Sequence, residues 1–194
     1  MNPTRCAAIL AGGQSSRMGR DKALLLLDGE PLIRRTARLL EPIFECVIVV
    51  SNSQEVAQAA RFPRIADTTS DKGPLAGIQA ALCHFGEPAF IVACDMPFLN
   101  ADFIRFQLEH WRDEFDALVP KSAHGTEPLH TIWSPSCLRV IQKALETPHP
   151  PSLRRVLSEL QVETISSEEV RRFDAAFRLF ENWNFPEDVS VSSD

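Results

Sequence analysis

The chain has 194 residues, 44% of them hydrophobic, and a formal net charge of −6 at pH 7. This length suits one domain with a substantial core, and the acidic balance argues against general binding to nucleic acid or to an anionic membrane surface. The first residues lack the apolar segment of a secretory signal, and no apolar run approaches the roughly 20 residues that span a bilayer. We therefore expect a cytoplasmic protein without a nucleic-acid or membrane partner, with one domain over residues 1–189 and a frayed tail over 190–194.

The cysteine and histidine spacings give no support for a zinc site. The cysteines are widely spaced with no CxxC pair, and the histidines form neither HxxxH nor HExxH. We therefore expect reduced thiols rather than a disulfide framework at Cys6, Cys46, Cys83, Cys94 and Cys137.

Apolar runs alternate with segments of helical periodicity through the first 115 residues. Strands are predicted at 6–10, 46–51, 64–66 and 89–94, and helices at 31–43, 54–62, 74–84 and 101–115. Pro74 suits the first turn of its helix, and Asn100 is the expected N-cap of the last one. Strands and helices that alternate in this way predict parallel strands joined by right-handed crossovers, hence a three-layer α/β/α fold with a mostly parallel sheet.

The second half of the chain is less regular. Strands are predicted at 116–119, 129–133, 161–165 and 177–181, and a helix is predicted at 135–146. The segment TPHPP at 147–151 interrupts the chain before another helical segment, SLRRVLSEL.

The segment LAGGQSSRMGRDK, from Leu10 to Lys22, directly follows the first predicted strand. In an open parallel sheet, ligands bind beyond the carboxyl ends of the strands. Gly12 and Gly13 allow backbone N–H groups to approach an anion closely, and Arg17 and Lys22 bring positive charge. The segment is therefore a candidate site for a triphosphate.

Two familiar phosphate-binding loops are excluded by spacing. A P-loop requires GxxxxGK[ST], but five residues separate Gly13 from Gly19 and an arginine follows. The dinucleotide fingerprint GxGxxG fails because Gly12 and Gly13 are adjacent. The alternative is a glycine turn whose arginines lie in solvent.

Asp95 is the second candidate, because it directly follows the apolar run AFIVAC and should project from the same edge of the sheet. A carboxylate oxygen there suits Mg²⁺, which takes few protein ligands and completes its shell with phosphate oxygens and water. The alternative is an aspartate that opens the DMPF turn.

The loop resembles the LAGGxSxRMGxDK signature of nucleotidyltransferases that act on sugar phosphates and the molybdenum cofactor. Its double glycine is most similar to the molybdenum cofactor guanylyltransferase family. Further likeness follows in that family's order, at Asp67, GPLAG (73–77), CDMPF (94–98), EPLH (127–130), SLRRVL (152–157) and NWNFPED (182–188). The resemblance implies a Rossmann-like nucleotidyltransferase fold and transfer of GMP from GTP to molybdenum-bound molybdopterin, with Mg²⁺ as cofactor and pyrophosphate as the second product.

The resemblance also implies roles for particular residues. Arg17, Lys22 and Asp95 would be catalytic, and Asp95 would bind the metal. Nucleotide or acceptor contacts are implied for Leu10, Ala11, Gly12, Gly13, Lys22, Asp67, Gly73, Pro74, Leu75, Gly77, Asp95, Arg154, Asn182 and Asn184.

Some of these positions keep two interpretations. The family has a guanine-contacting asparagine after its second strand, where this chain offers Ser51 or Asn52. Gly77 could equally serve close helix packing. Arg154 and Arg155 resemble residues near the acceptor's phosphate, but they could also form a solvated helix face.

The expected partners are GTP and molybdenum-bound molybdopterin, an accessory GTP-binding protein, and the molybdoenzyme apoproteins or chaperones that receive the product. Two alternatives remain at this stage. One is another cofactor or sugar-phosphate nucleotidyltransferase that uses CTP or UTP, and the other is a non-catalytic nucleotide-binding module.

Overall fold

The computed structural model describes residues 4–12, 21–67 and 72–183. The strands are β1 (Cys6–Leu10), β2 (Leu26–Leu27), β3 (Glu30–Pro31), β4 (Cys46–Val50), β5 (Arg64–Ile65), β6 (Ala89–Ala93), β7 (Ala117–Ser122), β8 (Gly125–Thr126), β9 (His130–Trp133) and β10 (Val162–Ile165). The helices are α1 (Leu32–Leu40), α2 (Gln54–Ala60), α3 (Pro74–Phe85), α4 (Ala101–His110), α5 (Leu138–Leu145), α6 (Leu153–Leu157) and α7 (Ser167–Arg171). Among these helices, none is both long and apolar enough to cross a bilayer.

The main sheet has the strand order β10-β7-β9-β6-β1-β4-β5, with β8 paired to β7. β1 lies between β4 and β6 and pairs in parallel with both of them. At the end of this central group Leu10 lies opposite Val50 on one side and Ala93 on the other. The three strands therefore end level with one another, and the residues that follow them leave the sheet at one edge.

Helices cover both faces of the sheet because side chains alternate along each strand. Ala7 and Ile9 belong to the core that contains residues of α1, α2, α4 and α7. Ala8 and Leu10 belong to the opposite core, with residues of α3, α5 and α6. Strands buried on both faces read as continuous apolar runs, as CAAIL, CVIVV and AFIVA do. The predicted three-layer α/β/α arrangement is confirmed.

One strand departs from the parallel pattern. β9 is antiparallel to both β6 and β7. The seven residues between β7 and β9 include β8, and a connection this short suits a hairpin rather than a crossover. Because β7 and β6 each run opposite to β9, both end at the same edge of the sheet as β1.

Several sequence-predicted elements require correction. The helix predicted over 101–115 ends at His110, because Trp111 turns to extended backbone and buries its ring. The predicted helix over 135–146 begins with a 3₁₀ turn and becomes helical only at Leu138. The strand predicted over 177–181 is wrong, since Arg178–Phe180 forms a 3₁₀ turn.

Two elements that the prediction missed have clear local signals. The β2–β3 hairpin turns at Asp28-Gly29, a dipeptide that favours hairpins because both residues accept positive φ. α7 begins with a capping box in which Ser166 and Glu169 satisfy each other's backbone N–H groups.

His130, the last residue of the EPLH segment, lies in the core. Its side chain is fully buried, and its ring centroid is 5.0 Å from that of Phe90, 5.4 Å from that of Phe103 and 5.3 Å from that of Phe180. Neither ring nitrogen has a hydrogen-bond partner in the described part of the chain. Burial without a partner disfavours the charged imidazolium and lowers the pKa of His130 from 6.5 to about 3.

His130 should therefore make the fold acid-sensitive. Between pH 6.5 and about 3 the unfolded chain takes up a proton that the folded chain excludes, so stability is lost as the pH falls through this window. The slope for one such group is about 1.4 kcal/mol per pH unit. We expect His130→Leu to reduce the difference in unfolding free energy between about pH 7 and about pH 5, measured by urea denaturation.

The matched control is His124→Gln, which changes an exposed histidine of the same region. That variant should keep the pH dependence of the unmodified protein. Equal pH dependence in His130→Leu and the unmodified protein would contradict the prediction.

Candidate active site

The central strands place three backbone segments side by side. The N–H of Ala11 donates to the carbonyl of Val50 at 2.9 Å, and the N–H of Cys94 donates to the carbonyl of Leu10 at 3.1 Å. The ends of β1, β4 and β6 are thus joined directly. Gly12 is exposed just beyond this junction. The carboxyl edge, where ligands bind in open parallel sheets, is therefore formed by residues after β1, β4 and β6.

Lys22 and Asp95 meet at this edge. Lys22 opens a 3₁₀ turn whose N-cap is Asp21, with the Asp21 carboxylate accepting the N–H of Ala23 at 3.1 Å. Asp95 follows β6 and is partly buried. Burial raises the pKa of Asp95, while the nearby positive charge of Lys22 and a backbone hydrogen bond lower it. The carboxylate and the ammonium group, which are 73 positions apart in the chain, therefore lie close enough to interact electrostatically at this edge.

The chemistry of the residues present fits Mg²⁺ at Asp95. The described residues contain no group of three or more His, Cys, Asp or Glu side chains that could hold a metal by themselves. Mg²⁺ in phosphate-transfer sites is commonly bound by one or two carboxylates and completed by substrate oxygens and water. The partly exposed carboxylate of Asp95 could supply the protein's share of that donor set.

The β4 side of the edge distinguishes Ser51 from Asn52. Ser51 is buried, and its hydroxyl accepts the N–H of Ser53 at 3.1 Å. Asn52 is exposed, and its side-chain oxygen accepts the N–H of Asp67 at 3.1 Å. This bond brings the end of β5 to the end of β4. Asn52 is therefore the better placed of the two to meet a base.

The GPLAG segment divides into an exposed part and a buried part. Gly73 is exposed and has φ +68° and ψ −162°, a conformation that is almost restricted to glycine. Pro74 is exposed as well, whereas the side chain of Leu75 is buried in the core. A Cβ atom on Gly77 would lie 3.1 Å from Cδ2 of Leu10. This contact supports the helix-packing interpretation of Gly77 and leaves Gly73 and Pro74 as the exposed part of the segment.

Arg154 and Arg155 have different surroundings. The Arg154 Nε donates to the carbonyl of Thr126 at 3.2 Å, so its side chain lies against β8. Arg155 points along the helix surface to Glu159, at 3.6 Å, and both side chains are largely exposed. Arg154, a residue of α6, thus contacts the hairpin at the carboxyl edge, and Arg155 fits the solvated-face interpretation.

The C-terminal segment reaches the same edge. Asn182 is exposed, and the N–H of the next residue, Trp183, donates to the carbonyl of Asp95 at 2.9 Å. The Trp183 side chain is 5% exposed and packs with Leu27 and Leu32. Sequence reasoning identified Asn182 but missed Trp183, whose only signal was a large aromatic residue between two asparagines.

Three predicted site residues, Gly13, Arg17 and Asn184, lie outside the described residues, as does the expected tail over 190–194. The structure brings Gly12, Asn52, Lys22 and Asp95 to one edge. Leu10 and Ala11 are also there, but their side chains are buried, so a contact between either residue and a nucleotide would come from the backbone.

Comparison with known proteins agrees with this geometry. The profile of the MobA-like NTP transferase domain matches residues 7–164. The chain is 34% identical over 182 residues to a probable molybdenum cofactor guanylyltransferase of Pelotomaculum thermopropionicum, covering 93% of this chain and 88% of that one. It is 34% identical over 184 residues to the molybdenum cofactor guanylyltransferase of Syntrophotalea carbinolica, covering 94% and 87%.

A solved structure gives the same result. The molybdopterin-guanine dinucleotide biosynthesis protein A of Archaeoglobus fulgidus superposes with a TM-score of 0.78 at 29% identity, covering 95% of each chain. The resemblance that the loop motif indicated is confirmed over most of the chain, and this protein belongs to the family of nucleotidyltransferases that contain the MobA-like NTP transferase domain.

Proposed function

We propose that this nucleotidyltransferase transfers GMP from GTP to molybdenum-bound molybdopterin, forming a molybdopterin guanine dinucleotide cofactor and releasing pyrophosphate. The observation that carries the proposal is the meeting of Lys22 and Asp95 beside the exposed backbone of Gly12. The chain matches its relatives over most of their length, and these relatives are named molybdenum cofactor guanylyltransferases. Their names support the choice of nucleotide and acceptor.

The proposed reaction is an in-line attack by an acceptor phosphate oxygen on the α-phosphorus of GTP. A phosphate monoester is already largely ionised at neutral pH, so the chain needs no strong general base. Catalysis then comes from alignment and from neutralising the charge that grows on the phosphate oxygens. Bound Mg²⁺ would supply Lewis-acid stabilisation of those oxygens.

Different residues of the chain would neutralise charge, position the phosphates and bind the metal. Lys22 would neutralise the triphosphate and the leaving pyrophosphate, and the Gly12 backbone would approach the phosphates without a side chain in the way. Asp95 would hold the metal. Arg17 and Gly13 would supply further phosphate contacts.

The acceptor side would be formed by groups around the β7–β9 connection and the C-terminal segment. Arg154 provides a cation against β8, and Asn182 lies beside the Asp95 turn. Asn184 would complete this side of the site. Since residues up to Trp183 pack on the turn of Asp95, we include them with the matched region in one catalytic domain over 1–189.

The proposal also covers partners and location. An accessory GTP-binding protein, and the apoproteins or chaperones of molybdoenzymes, are the expected partners before and after the reaction. Because GTP is supplied in the cytoplasm, we expect the protein to act there.

Removing the Asp95 carboxylate should abolish metal-dependent turnover. We expect Asp95→Ala to reduce pyrophosphate release from GTP, Mg²⁺ and molybdenum-loaded molybdopterin by about a hundredfold or more. The reason is the loss of the proposed metal ligand at the reacting phosphates. The measurement is a coupled pyrophosphate assay with the metal concentration varied.

The control is Asp102→Ala, which removes an exposed carboxylate on α4 whose partner is Arg105. That variant should retain full activity. Equal rates for Asp95→Ala and the unmodified protein would remove Asp95 from the mechanism, and no turnover by the unmodified protein would favour a binding module.

Base selectivity is expected to depend on Asn52. Its side-chain oxygen already accepts the N–H of Asp67, so its NH₂ group is the part that can donate to a base. Guanine presents an acceptor, O6, where adenine and cytosine present an amino group. We expect GTP to bind more tightly than ATP or CTP, and Asn52→Ala to weaken GTP binding by about tenfold, the equivalent of one lost hydrogen bond.

Isothermal titration with the four nucleoside triphosphates tests this expectation. ATP affinity should not change in Asn52→Ala. Tighter binding of CTP would move the assignment to a cytidylyl relative, and an equal loss of GTP and ATP affinity would show that Asn52 does not read the base.

A further inference from the structure

The turn that carries Asp95 lies outside the hydrogen-bond ladder of the sheet. β6 ends at Ala93 and α4 begins at Ala101, so the backbone between them must find other partners. A metal-binding carboxylate has to be held within about 0.5 Å of its productive position. What fixes the turn therefore bears directly on Asp95.

Groups distant in sequence hold the turn at several points. The Arg35 Nε donates to the carbonyl of Pro97 at 3.3 Å. The Asn100 Nδ2 donates to the carbonyl of Phe173 at 3.3 Å. The carbonyl of Asp95 itself accepts the N–H of Trp183 at 2.9 Å. Apart from Arg35 on α1, these anchors come from the C-terminal segment.

Trp183 contributes its ring as well as its backbone. The ring packs edge-to-face on Phe98, with centroids 5.8 Å apart and planes at 80°. Leu27 and Leu32 close the rest of its pocket, so the β2–β3 hairpin and the start of α1 hold the ring in place. The guanidinium of Arg178 lies 4.2 Å from the ring centroid of Phe98. Phe98 is thus contacted by two residues of the same C-terminal segment.

We propose that Trp183, assisted by Arg178, is a positioning residue for the metal-binding carboxylate, an inference that rests on the proposed function of Asp95. Trp183 fixes the peptide unit of Asp95 through its N–H, and its ring and Arg178 clamp Phe98, three residues further along the turn. Rotation of that peptide unit would swing the carboxylate away from Lys22. Because Asn182 precedes Trp183 directly, the same contact sets the distance between Asn182 and Asp95.

A purely structural tryptophan would affect stability alone, so the test separates stability from metal binding. Free Mn²⁺ is counted by electron paramagnetic resonance in the presence of GTP, and binding of GTP is measured separately with EDTA present. We expect Trp183→Ala to weaken Mn²⁺ binding by about tenfold or more, the effect typical of losing a residue that orients a metal ligand. Metal-free binding of GTP should not change.

Three further variants sharpen the test. Trp183→Phe keeps an aromatic ring against Phe98 and should restore most of the Mn²⁺ affinity. Trp111→Ala removes a tryptophan of similar burial, 4% against 5% exposed, at the far end of α4. It should lower the melting temperature without changing Mn²⁺ affinity. Arg178→Met removes only the cation over Phe98 and should weaken Mn²⁺ binding in the same direction.

The outcomes distinguish this inference from the proposed function. If Asp95→Ala binds Mn²⁺ as tightly as the unmodified protein, the proposed metal site itself is wrong. If Asp95→Ala loses Mn²⁺ but Trp183→Ala does not, only the positioning role is overturned. If Trp183→Ala does not fold, Arg178→Met decides, and an unchanged Mn²⁺ affinity in that variant overturns the inference.

Discussion

The site depends on one constraint: the parallel strands β1, β4 and β6 end in register at the same edge of the sheet. Because Leu10 is in register with both Val50 and Ala93, the chain leaves β1, β4 and β6 at the same height. Gly12, the Asn52 turn and the Asp95 turn must then lie at the same edge of the sheet, although they are far apart in sequence. A shift of one residue in either pairing would also exchange the two faces of a strand whose side chains are buried on both sides, so the cores fix the register.

Two opposing influences act on the Asp95 carboxyl group, and burial is the larger one, so that the pKa of Asp95 is raised. Burial raises the pKa of its carboxyl group, which favours protonation, while the positive charge of Lys22 favours the ionised form that binds metals. In the proposed function the same lysine would also neutralise the phosphate oxygens. One cation would then act on both the carboxylate and the phosphates, which requires Lys22 and Asp95 to be held at the same edge of the sheet.

Much of this fold could be read from the sequence because its signals are local. The apolar runs of β1, β4 and β6 predict buried strands, and the glycine loop with Asp95 predicts a phosphate and metal site at their ends. The direction of β9, the core position of His130 and the contact of Trp183 with Asp95 depend on chain segments that meet only in the folded protein. Gly77 illustrates the limit well: its sequence context suited a ligand contact, but the nearness of Leu10 across the layer supports packing instead.

The reversed direction of β9 separates two parts of the carboxyl edge. The residues that enter β9 arrive at the carboxyl edge beside β6, yet they belong to a hairpin whose ladder is separate from the β1–β4 pairing. Insertions or deletions in that hairpin would change the edge beside β6 without altering the pairing of β1 with β4. The part of the edge that follows β1, β4 and β6 can therefore stay unchanged while the neighbouring hairpin changes in length.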